Sequence, residues 1–146
     1  LRLSVTCDAQ TRFALRMHDN RDGSATGGTD ETAYGLDLDA SHNKIGRFYL
    51  TIDPAEFSAD TLRTLYRTDS TSNGAAWSNS SARQIPMAAN SYMGFTDKSG
   101  LSTGPVAIQT LAGTVRIKTY LAPMQSLDLR QVVHINGSGT IEIIYL

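Results

Sequence analysis

Apolar residues in this chain recur at every second position, and that period limits what the backbone can form. In "LRLSVTC", Leu1, Leu3, Val5 and Cys7 fall on one side. In "RFALRMH", Phe13, Leu15 and Met17 do the same, and in "TVRIKTYL" Val115, Ile117, Thr119 and Leu121 oppose Arg116, Lys118 and Tyr120. Side chains alternate faces along a strand but repeat every 3.6 residues along a helix, so these segments read as strands with one dry and one wet face. "GRFYLTI", "TLRTLYRTD", "YMGFTD", "PVAIQTL" and "VVHI" are further strand candidates. Between them lie clusters of Gly, Asn, Ser and Asp, such as "DNRDGSATGGTD", "TDSTSNGAAWSNSS" and "NGSG". Many short strands separated by such breaks predict a single all-β domain over 1–146, a sandwich or a barrel. One segment departs from the pattern. "DPAEFSADTL" offers Asp53 as an N-cap, Pro54 at the first helical position and Glu56 in the first turn, which predicts one short turn of helix.

Composition narrows the function classes. The 146 residues are 40% hydrophobic, enough for a packed core, and the net charge is -1. No basic block suggests a nucleic-acid footprint, and no apolar run is long enough to cross a bilayer. Cofactor motifs are missing: Gly23, Gly27 and Gly28 lack the nucleotide-binding spacing and open no helix.

The chemistry-bearing residues do not converge. Cys7 is the only cysteine. It reads as a buried thiol, as one half of a disulfide whose partner lies outside this chain, or, last, as a nucleophile without a surrounding motif. His18, His42 and His134 have no metal-ligand spacing, so no metal site is expected. Asp37 and Asp39 would share a face if "GLDLD" were extended, and paired carboxylates can perform acid–base hydrolysis; a solvent-facing pair beside a loop is the simpler reading. "HDNRDGS" has Asn20, Asp22 and Gly23 at calcium-loop offsets but His18 in place of the first acidic ligand, which favours an Asp22-Gly23 hairpin turn. "NGSGT" reads as a second hairpin turn. Trp77 and Asn79, in an Asn/Ser-rich loop, form a candidate glycan contact. None of this assembles an active site, so the chain reads as a non-enzyme without cofactors.

The last segment, "GSGTIEIIYL", is a strand with Ile141, Ile143 and Tyr145 on one face and Glu142, Ile144 and Leu146 on the other. Together with "LRLSVTCDAQTRFALRMHDNRDGS" and "HNKIGRFYLTI", it resembles the fimbrial-subunit-like proteins of Gram-negative bacteria, often described only as a domain of unknown function, which are similar in turn to chaperone–usher pilins. The order and spacing of the three segments carry the resemblance, which covers nearly the whole chain. Tyr145 matches the penultimate tyrosine of pilins, with Ile143, Ile141 and Gly139 at alternate positions before it; Val133 stands where pilins tend to carry a glycine.

The resemblance implies an immunoglobulin-like β-sandwich, incomplete until a strand is donated. It implies a structural or adhesive fimbrial subunit, exported to the periplasm and carried to the cell surface. The partners would be a periplasmic chaperone and neighbouring subunits, or a strand-swapped second copy, with no nucleic acid and no membrane insertion. Ile141, Ile143 and Tyr145 would bind the partner strand, by backbone hydrogen bonds and alternate side-chain pockets. The N-terminal extension, the family's first strand and the disulfide partner of Cys7 would lie outside this chain, which would be poorly stable alone. A soluble carbohydrate-binding module, contacting a host or surface glycan through Trp77 and Asn79, is the alternative.

Overall fold

The computed structural model describes residues 1–28 and 30–146. Among them are nine strands, one 3-10 turn and no α-helix. The strands are β1 (Arg2–Thr11), β2 (Phe13–Asp19), β3 (Tyr34–Gly35), β4 (Gly46–Ala59), β5 (Tyr66–Ser70), β6 (Ile85–Pro86), β7 (Tyr92–Thr96), β8 (Ile108–Leu121) and β9 (Gly139–Tyr145). They form two antiparallel sheets. The first has the order β1-β8-β4-β3, with β6 also on β4; the second has the order β5-β7-β2-β9. This is the all-β, two-sheet arrangement expected of a sandwich.

The alternation in the sequence becomes the division between core and surface. In β4, Phe48, Leu50 and Ile52 are buried while Arg47, Tyr49 and Thr51 are half-exposed on the other face. In β2, Phe13, Leu15 and Met17 are buried beside Met93 and Phe95 of β7. Both sheets feed one apolar cluster, as two sheets with one dry face each must.

Two contacts fix which strands oppose each other. The rings of Phe57 on β4 and Phe95 on β7 lie 5.1 Å apart. Arg67 on β5 reaches across to the other sheet, donating to the carbonyl of Ile85 on β6 at 2.7 Å and of Ile52 on β4 at 3.4 Å. Its remaining N–H groups hold Asp69 in two bonds, of 3.1 and 2.7 Å. With β4 over β7 and β5 clasped to β4 and β6, the strand orders leave β1 and β9 as edges on the opposite side of the sandwich.

Four local expectations are corrected. The "DPAEFSADTL" segment forms no helix: Asp53 to Ala59 are the second half of β4, and a turn follows. Between Ile52 and Phe57, β4 advances five residues while β8 moves only from Val115 to Gly113. This bulge accommodates Pro54, which cannot donate to a ladder. Asp53 accepts the N–H of Ala55 at 3.0 Å, a turn-like bond within the bulge rather than a helix cap. "VVHI" is irregular, and "NGSG" leads directly into β9 with no hairpin. The turn at Asp22-Gly23 does form, with Ser24 N–H bonded to Arg21 O at 3.0 Å. It joins strands of different sheets, however, and so makes no hairpin.

A candidate partner-strand groove at the β1–β9 side

β9 pairs along its length with β2, from Phe13 opposite Tyr145 to Asp19 opposite Gly139. Directly opposed residues share a face. Ile141, Ile143 and Tyr145 therefore point the same way as Met17, Leu15 and Phe13, into the space between the sheets. The β2 side chains are buried, and Ile141 packs on the core. Further along β9 the cover decreases: Ile143 is 38% exposed and Tyr145 71%. These inward-facing residues are only partly covered, Tyr145 least.

The first sheet has a bare stretch of its own, at the end of β8 that lies toward Gly139 rather than toward Tyr145. On the inner face of β8, Val115 is 1% exposed, whereas Ile117 is 52% and Leu121 59% exposed. β1 covers β8 only as far as the bond from Val115 N–H to Leu1 O, at 2.7 Å. Cys7, on the inner face of edge strand β1, is half-buried against the core and is a free thiol.

The backbone of β9 is also half-engaged. Leu146 N–H bonds to Arg12 O at 3.0 Å and Asn20 N–H to Ser138 O at 3.0 Å. In an antiparallel pair, hydrogen-bonded and non-bonded positions alternate. Thr140, Glu142 and Ile144 therefore exchange bonds with β2, and Ile141, Ile143 and Tyr145 aim their N–H and C=O groups at the open edge. The three residues that show side chains to the groove also show it their peptide groups.

The connection from β8 places β9, and Asp39 holds that connection. Asp39 is buried and accepts four hydrogen bonds: from the N–H groups of Ser41 and Asn43 at 2.9 Å each, the Asn43 amide at 3.1 Å and Asp128 N–H at 2.7 Å. These bonds, the one from Asp128 foremost, hold its pKa below the usual carboxylate value. Asp37, with φ at 73°, accepts from the Asn136 side chain at 3.0 Å. The two carboxylates are thus loop anchors, not a solvent-facing pair, and no strand runs through "GLDLD".

Other sequence candidates fall elsewhere. Glu142 is exposed and pairs with His18 at 2.7 Å on the outer face. Trp77 is half-buried, its ring packed against Gly104, where an added Cβ would meet it at 2.8 Å. Asn79 is exposed in the same loop. The structure does not bring Trp77, Cys7 and β9 into one site. Among the described residues, no group of three His, Cys, Asp or Glu is placed to hold a metal ion, and no helix is long and apolar enough to cross a membrane. Sequence reasoning missed the Arg67–Asp69 clasp and the bare end of β8. The first had a signal in "YRTDS", where Arg67 and Asp69 sit two apart on one strand face. The second had none, because Ile117 and Leu121 continue an alternation whose inner members are otherwise buried. No family model matches the chain, and neither a curated protein nor a solved structure matches it.

Proposed function

We propose that this chain is a non-catalytic structural or adhesive subunit of a surface fimbria, an immunoglobulin-like sandwich that is completed by a donated strand. The observation that carries this reading is the coincidence of two exposures on β9. Ile143 and Tyr145 face inward yet are only partly covered, and the same strand has a free hydrogen-bonding edge. An open apolar edge invites pairing with another chain, and a protein that maintains one beside a bare inner surface has the two elements that strand addition requires. An incoming strand laid along β9 would satisfy its peptide groups and cover Ile143 and Tyr145. A periplasmic chaperone and then a neighbouring subunit are the partners this mechanism calls for, in the periplasm and at the cell surface.

Co-expression with a chaperone–usher-type periplasmic chaperone tests the reading. The intact chain should co-purify with the chaperone, and deletion of 143–146 should abolish the complex. Tyr145→Ser should weaken it by about 1–3 kcal/mol, the scale of a largely buried side chain, and Glu142→Gln should leave it unchanged. A truncated chain that binds as well as the intact one would make β9 an ordinary edge strand.

A further inference from the structure

The outer face of the first sheet carries a cluster that strand addition does not use. Arg47 of β4 lies opposite Tyr120 of β8, and Tyr49 lies opposite Lys118. The Arg47 Cζ sits 5.6 Å from the ring centroids of both Tyr49 and Tyr120, and Lys118 Nζ sits 5.5 Å from that of Tyr120. The two tyrosine rings meet edge to face at 5.9 Å. Gly27, at φ 86°, brings its backbone against the Arg47 guanidinium, leaving no room for a Cβ. The arginine is therefore held in place by rings and backbone rather than by a counter-ion.

Among the described residues, no carboxylate forms an ion pair with Arg47, Lys118 or Lys44. Asp30, whose pKa Arg47 helps to lower, is occupied by the N–H and hydroxyl of Thr32 and the hydroxyl of Tyr49. Beside the cluster lies a hollow of about 550 Å³ lined by Thr26, Asn43, Lys44, Arg47, Tyr120 and Ser126, among others, with no acidic residue in its wall. That volume falls in the range of small-ligand clefts. A cation stacked on a ring keeps the N–H edge of its guanidinium free for a planar bidentate acceptor.

We propose that this hollow binds an acidic saccharide, a pyranose bearing a carboxylate. Arg47 takes the carboxylate, with Lys44 in the wall as a supporting charge and Lys118, outside the wall beside Tyr120, adding to the local field. Tyr120, 42% exposed, holds Arg47 in position and presents the exposed edge of its ring to the hollow. The Asn43 amide and the Thr26 and Ser126 hydroxyls suit the sugar hydroxyls. The small hollow and the chain's net charge of -1 argue against a nucleic-acid track. Arg47, Tyr49, Lys118 and Tyr120 lie on the face of β4 and β8 opposite Leu50 and Ile117, while Leu121, at the end of β8, also lines the hollow.

Titration of the intact chain with trigalacturonate at low salt, followed by calorimetry and NMR, tests this. Saturable binding is expected, at least about tenfold tighter than to galactotriose. Arg47→Gln and Lys118→Gln should each weaken it, Arg47→Gln by about tenfold or more, with circular dichroism unchanged. Trp77→Ala and deletion of 143–146 should leave it intact. No binding, equal binding of the neutral trisaccharide, displacement by sulfate at matching affinity, or indifference to both cation variants would each overturn the proposal.

Discussion

At the scale of single residues, the buried polar groups set the demands on this core. Tyr34 is fully buried, and its hydroxyl donates to the carbonyl of Met87 at 2.7 Å, while burial pushes its pKa well above the usual value. Tyr34→Phe leaves that carbonyl without its donor and should cost about 1–2 kcal/mol in urea unfolding. Arg67 presents a sharper case, because its side chain is 1% exposed and Asp69 is its charged partner. Asp69→Ala strands a buried cation and should cost about 3 kcal/mol, whereas pairing Arg67→Met with Asp69→Leu should recover most of that loss. Denaturant titration of the two variants separates a paired charge from mere packing. The His18–Glu142 pair is exposed on both sides, and its removal should change stability little.

Elements differ in how openly the sequence declares them. β1, β2 and the first half of β4 were legible because one face of each is more buried than the other; β7, buried on both faces, and β9, with no fully buried residue, were legible from their apolar and β-branched residues alone. β8 is a single strand of 14 residues although its sequence reads as two segments, since Gly113 at its middle resembles a break. Gly113 is instead required by packing: a Cβ there would collide with the Phe57 ring. Pro54 misled for the opposite reason. Asp-Pro at a helix start and Asp-Pro in a bulged strand look alike locally, and only the register against β8 distinguishes them. The segment between β8 and β9 is held by side chains distant in sequence, above all Asp39, which local patterning does not reveal. Because the folded Asp39 pKa lies below its ordinary value, its contribution to stability is fully present above that ordinary value. It is lost as pH falls through the lower, folded one. The protection factors of the 126–130 amides, exchange corrected for its intrinsic pH dependence, should therefore fall on acidification, and Asp39→Ala should produce the same loosening at neutral pH, with the β2–β7 core still protected. Equal protection of 126–130 in that variant would show that Asp39 does not anchor the connection.

At the scale of the whole molecule, Arg67 joins the two sheets on the side of β5 and β6, and β1 and β9 are the other edge strands, the side that the proposed function reads as open to a donated strand. The candidate residues Ile141, Ile143 and Tyr145 were legible as one face of a strand. Their unequal cover was not, because it depends on which strands lie opposite, a property of topology. The central claim is that this open side receives a strand, and the β9 amides report on it most directly. In the free chain, Glu142 and Ile144 bond to β2 while Ile141, Ile143 and Tyr145 point outward. Residue-resolved hydrogen exchange should find the first pair protected and the other three fast. On forming the complex with a chaperone or a second subunit, Ile141, Ile143 and Tyr145 should gain protection, with little change at Glu142 and Ile144. Complex formation that leaves those three amides exchanging as rapidly as before would contradict the account.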